Sequence, residues 1–176
     1  MKTTKWSIDP VHSEITFKVK HLMISNVKGE FKTFQANIDG EDFTKSTISA
    51  NIDASSISTN NNDRDTHLKS PDFFEVEKNP EITFVSTSIK KVENDEFKLL
   101  GNLTIKGTTK EITLDTEFGG FMKDPYGNEK AGFSINGKLN RKDFGLNWNT
   151  ALEAGGVMVG NEIKINAEVQ FIKQVS

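Results

Sequence analysis

Apolar and polar residues alternate with a period of two along most of the chain. Ile15, Phe17 and Val19 are interleaved with Glu14, Thr16, Lys18 and Lys20, the pattern of a strand with one dry and one wet face. The alternation recurs in Phe31 to Ile38, in Ile48, Ala50 and Ile52, and from Ile82 and Phe84. It continues along Phe97, Leu99, Gly101, Leu103 and Ile105, then Ile112, Leu114, Thr116 and Phe118. The last two runs are Ala131, Phe133, Ile135, Gly137 and Leu139, and Ile163, Ile165, Ala167, Val169 and Phe171. Together they predict about eight strands. Asp39-Gly40, Glu93-Asn94-Asp95, Lys106-Gly107 and Asp124-Pro125-Tyr126-Gly127 supply turn chemistry between them, and such short links favour an antiparallel meander over crossover connections.

Two stretches interrupt the alternation. His21 to Val27 reads as a short apolar connection of about one helical turn. From Ser55 to Ser70 a polar run with Asn and Asp at its front ends before Pro71, which predicts one short helix around residues 60–69. The fold class expected is all-β: an extended eight-stranded antiparallel barrel with that helix in one loop, forming a single domain over residues 1–176. Dry residues on one face of nearly every strand, and the removal of exposed edges, favour closure. Gly101 and Gly137 fall on the inward face, where a missing side chain either eases a bend or leaves room for an occupant. A filled interior and a ligand-bearing one are both compatible with the pattern.

Composition narrows the function classes. Phe at 13 against Tyr at 1 and Trp at 2 makes the aromatic content almost wholly apolar. Lys+Arg of 22 and Asp+Glu of 25, a net charge of -3 with signs interspersed, do not recruit nucleic acid. Without cysteine there is no disulfide framework, thiolate nucleophile or Cys-based zinc site. No window holds the ~18 apolar residues of a membrane helix, and the N-terminus lacks an apolar leader. A cytoplasmic location is therefore expected, or a periplasmic one if a leader has been removed. There is no Gly-x-Ser-x-Gly elbow, P-loop or GxGxxG, and His12, His21 and His67 lack zinc-ligand spacing. No catalytic residue, no metal and no required cofactor are expected.

Several motifs, in order, carry a resemblance. Trp6-Ser7-Ile8-Asp9-Pro10-Val11-His12-Ser13, then Gly29-Glu30-Phe31, Arg64 to Phe74, Pro80-Glu81-Ile82-Thr83-Phe84, Gly101 to Gly107 and Asn140 to Leu146 resemble the YceI-like family of polyisoprenoid-binding domains. The resemblance implies a lipocalin-like barrel enclosing a long apolar pore. It also implies non-enzymatic binding, storage or transport of a polyisoprenoid, isoprenoid quinone or related amphiphile. A homodimer is expected on the same ground. The alternatives are a redox or stress-response protein in which a bound quinone does the chemistry, and a filled interaction barrel without a ligand.

On that premise Ile15, Phe17, Val19, Phe31, Phe84, Leu99, Leu103, Phe133, Ile135 and Ile165 are expected to line the pore. Head-group or mouth residues are expected among His21, Arg64, His67, Phe73, Phe74, Arg141 and Trp148. His21 shares parity with Phe17 and Val19 and so turns inward; its imidazole could meet a head group or be satisfied by backbone. Arg64 and His67 share a helix face and could meet a phosphate or quinone oxygen, while Asp63 and His67 form an i, i+4 pair that could serve stability alone. After Pro71 the chain should run extended, so that Phe73 and Phe74 point oppositely, one pinning the loop and one closing or lining the pore; both rings could equally pin it. Arg141 and Asp143 could form an ion pair, and Trp148 could stack on a ring or a flat head group.

Overall fold

The computed structural model describes residues 4–149 and 159–175. Its strands are β1 (Thr4–Ile8), β2 (Glu14–His21), β3 (Ser25–Phe31), β4 (Phe34–Asp39), β5 (Thr47–Asp53), β6 (Ile57–Ser58), β7 (Glu81–Glu93), β8 (Glu96–Ile105), β9 (Thr108–Lys123), β10 (Glu129–Asn140) and β11 (Val159–Val175). Among the described residues there is one α-helix, α1 (Asn62–Lys69). Every pairing is antiparallel. The ring β1-β4-β5-β7-β8-β9-β10-β11 closes on itself through β1 and β11, an eight-stranded barrel, while β2, β3 and β6 extend the sheet at one end.

The extension follows from the length of β11. Its C-terminal part pairs with β1, from Ile8↔Phe171 to Thr4↔Val175, and its N-terminal part pairs with β2, from Glu14↔Glu168 to His21↔Val159. β1 and β2 thus succeed one another along one edge, interrupted at a 3-10 turn, Pro10–His12, capped by Asp9. The run expected from Phe31 to Ile38 is β4 with the last residue of β3 in front of it, broken at Lys32-Thr33. This break lets β3 pair with β2 and β4 with β1.

The connection expected at His21 to Val27 is instead a hairpin. Leu22 and Met23 take φ of 54° and 64°, and the Ile24 amide donates to the His21 carbonyl at 3.3 Å. Positive φ at both central positions gives the primed turn whose twist suits a hairpin, although Leu-Met lacks the Asn-Gly signature that would announce it. Helix α1 lies where the polar run predicted it. Asn61 accepts from the Arg64 amide, and Asp63 and Asp65 occupy the first turn, where carboxylates complement the helix dipole.

The interior has two halves. In one, Phe43 from the β4–β5 loop plugs the barrel, its ring 5.3 Å from Phe97, 4.9 Å from Phe118 and 5.1 Å from Phe133, among buried Trp6, Ile38, Val169 and Phe171. In the other, Phe31, Ile57, Ile82, Leu103, Ile105 and Leu146 are buried around open space. The inward glycines leave no room for an occupant, because neighbours take it. A Cβ on Gly101 would meet the Phe84 ring at 2.4 Å, and one on Gly137 would meet Leu114 at 2.5 Å.

Candidate apolar cavity and its cationic rim

The open half holds a cavity of about 510 Å³ with a strongly apolar wall. β2 contributes Ile15, Phe17, Val19 and His21 to it, because the odd residues of that strand face inward. Phe17 reaches over Gly29, where a Cβ would stand 2.3 Å from the ring. The cavity is bounded by β3, β6, β8, β10 and β11 and by the segment from α1 to Phe74.

Of the expected pore residues, Ile15, Phe17, Val19, Phe31, Leu103 and Ile165 lie on this wall. Phe84, Leu99, Phe133 and Ile135 do not. Phe84 lies across Gly101, Leu99 is 3% exposed in the packed core, Phe133 stacks on the Phe43 plug, and Ile135 packs between the two core halves. Strand parity assigns a face but not a depth along the barrel, so it cannot separate plugged levels from hollow ones.

His21, Arg64, His67, Phe73, Phe74, Arg141 and Trp148 all border the cavity. The segment after Pro71 turns back rather than running extended, with the Phe73 amide donating to the Ser70 carbonyl and the Phe74 amide to that of Leu68, both at 3.0 Å. Both rings therefore reach the cavity. Phe73 sits 5.1 Å from His67 and 5.5 Å from Trp148, and Phe74 meets Phe31 edge-on at 6.1 Å.

The side chains of α1 are tied down locally. Arg64 donates from Nε to Thr59 Oγ1 at 2.8 Å and from Nη2 to the Thr59 carbonyl at 3.0 Å, and Thr59 donates its hydroxyl to Asp65 at 2.6 Å. His67 pairs through Nε2 with Asp72 at 2.9 Å, not with Asp63, and stands perpendicular to Trp148 at 4.7 Å. The turn at Ser70 to Phe74 brings Asp72 back under the helix.

Arg141 is the least expected element. It is 2% exposed, and its anticipated ion pair with Asp143 does not form. It donates from Nε to the Gly160 carbonyl at 2.8 Å and from Nη1 to those of Leu146 and Trp148 at 2.6 and 2.8 Å, while Nη2 approaches Val159 O at 3.3 Å. The 3-10 turn Arg141–Phe144, ended by Gly145 at φ 77°, points Asp143 outward and folds the chain around the guanidinium. Asn149 locks the far side, donating to Val159 O at 2.7 Å and accepting from Val159 N at 3.0 Å. Among the described residues no carboxylate neutralises Arg141, and burial pulls its pKa below the ordinary value. A buried cation that is held, among the described residues, by carbonyl dipoles alone favours an anion beside it.

Beyond this end, Asp9 accepts from His12 at 2.7 Å and from Lys130 at 2.9 Å. Burial alone would raise its pKa; the two hydrogen bonds and the Lys130 charge outweigh that and lower it to about 2. Asp9, Pro10 and His12 of the N-terminal motif thus build the link between β1 and β2. Among the described residues no group of His, Asp and Glu converges as a metal site, and no helix is long and apolar enough to cross a membrane.

A family model described as YceI-like domain matches residues 6–171. A UPF0312 protein of Staphylococcus epidermidis is 48% identical over 171 residues, covering 96% of this chain and 97% of its own. One from Staphylococcus aureus is 44% identical with the same coverage. Among solved structures, a YCEI protein of Campylobacter jejuni superposes with a TM-score of 0.74 at 40% identity, covering 87% of this chain and 88% of its own. Burkholderia cenocepacia BcnA gives 0.79 at 21% identity over 93% and 98%. A polyisoprenoid binding domain from Saccharophagus degradans gives 0.67 at 13% over 95% and 97%. The last two share the fold.

Proposed function

The chain belongs to the YceI-like domain family, and from that premise we propose that it binds one long-chain amphiphile, tail in the cavity and head group at the cationic rim, as a carrier or store rather than a catalyst. The observation that carries this reading is the pairing of a hollow apolar half-barrel with a buried arginine on its wall that, among the described residues, has no carboxylate partner. A packed interior would leave no such hollow. Each methylene moved from water to this wall contributes about 0.8 kcal/mol, so a partly inserted tail suffices for tight binding.

The rim selects the head group. Lys20, His21, Arg64, His67 and Arg141 border the cavity against Asp63 as the acid, a balance that suits a prenyl phosphate or another acidic amphiphile better than an uncharged quinone ring. The polyisoprenoid named for the Saccharophagus degradans neighbour agrees with such a tail. We further propose that two copies associate, for which exposed Phe121, Met122 and Tyr126 offer apolar surface; light scattering checks this.

Native mass spectrometry of the protein purified without denaturant, followed by extraction of whatever dissociates, tests the binding reading. One equivalent of a prenyl or acyl lipid is expected, and Val19→Trp should lower its occupancy while leaving the melting temperature within a few degrees. A bare chain after incubation with host lipids would overturn it.

A further inference from the structure

The outer face beside the cavity carries an arrangement that folding does not explain. Lys28 on β3 stands opposite Lys18 on β2, Lys18 opposite Lys164 on β11, and Lys164 opposite Lys138 on β10. Four exposed lysines therefore run in register across four adjacent strands, a row about 14 Å wide at the usual inter-strand spacing. Like charges directly opposite one another destabilise a sheet. Lys20, one step further along β2, adds a fifth, and among the described residues none of the five forms an ion pair. Acids on this face are set mostly away from the hairpin: Glu30, Glu14 and Glu168 lie on the far side of the row, and Glu162 is the exception.

The β2–β3 hairpin projects on the near side of the row. Its tip exposes Leu22 by 39%, Met23 by 53% and Ile24 by 83%. The first two also occupy positive φ, where a branched or bulky side chain is strained and Asn-Gly would be at ease. The tip thus accepts both backbone strain and apolar exposure. His21 and Lys20, at its base, line the cavity.

We propose that this face docks on an anionic lipid bilayer, with the Leu22-Met23-Ile24 tip inserted and the lysine row held against acidic head groups. At about 3.3 Å per residue the row stands roughly 10 Å behind the turn, and insertion of the tip brings it to about one Debye length, ~8 Å, from the head groups, where the surface potential is still felt. An apolar insertion and a basic patch together supply the two signals that stable attachment requires. A second copy docked through the same face would set one lysine row against another, and three tip residues fall well short of the ~1,200 Å² of a stable protein interface. Docking brings the cavity mouth to the bilayer surface, but it does not depend on what the cavity holds.

Flotation with vesicles of phosphatidylcholine alone, and of equal parts phosphatidylcholine and phosphatidylglycerol, tests the proposal. The full chain should float with the anionic vesicles only, and less as salt rises. Neutralising Lys18 and Lys164 to Gln should weaken binding about fivefold for each lysine, whereas Lys90→Gln on β7 should change nothing. Leu22→Asn/Met23→Gly, which installs the preferred turn sequence, should melt no lower than the parent yet lose about tenfold in binding. Equal flotation with neutral vesicles, no flotation, or row and tip variants that leave binding unchanged would overturn the proposal. So would a change of oligomeric mass in the tip variant, which would assign the face to a second copy.

Discussion

Single side chains set how this barrel responds to acid and to substitution. Asp9, with its pKa lowered from 3.8 to about 2 by Lys130 and His12 against its burial, is a group whose folded value lies below its unfolded one. Its contribution of about 2 kcal/mol is complete above pH 3.8 and disappears as pH falls towards 2. Melting curves of Asp9→Asn should therefore lie well below those of the parent at pH 7 and converge with them towards pH 2. Gly29→Ala would place a Cβ 2.3 Å from the Phe17 ring and drive that ring into the cavity, so lipid occupancy by native mass spectrometry should fall by more than stability does. Arg141→Met should both weaken an acidic ligand and destabilise the fold by about 3 kcal/mol, since the carbonyls of Gly160, Leu146 and Trp148 lose the guanidinium as donor while Val159 O keeps Asn149. An uncharged amphiphile of equal tail length should lose far less affinity, which separates the charge from the scaffold. Little of this was legible beforehand. The residues Arg141 and His67 stood out, but their partners are carbonyls or distant carboxylates that only the turns at Gly145 and Ser70 bring near.

At the level of elements, period-two alternation disclosed most of the barrel because each of those strands has one wet and one dry face. It failed where the signal is short or unconventional. β1 is missed since Lys5-Trp6-Ser7-Ile8 offers only two apolar residues, and the β2–β3 hairpin is missed because Leu-Met at positive φ carries no turn signature. The Phe43 plug is missed for a third reason: a lone aromatic in the polar loop Asp42 to Ser46 gives no hint that three phenylalanines await it. That plug belongs to the filled half, and neither Phe43 nor its three ring partners touches the cavity wall. Phe43→Ala should destabilise the protein by about 3–5 kcal/mol, measurable by denaturant titration.

Over the whole molecule, the sequence pattern favoured closure but left open whether the interior is filled or hollow, and the structure contains both, one in each half. The lysine row and hairpin tip lie at the hollow half, so the surface that faces solvent there and the space behind it serve one end of the barrel. A vessel stoppered by Phe43 and its aromatic neighbours is a cul-de-sac. An occupant must back out by the way it came before a successor can be admitted, and no newcomer can push it through. Exchange of a fluorescent lipid should accordingly proceed at a rate independent of competitor concentration, set by departure alone.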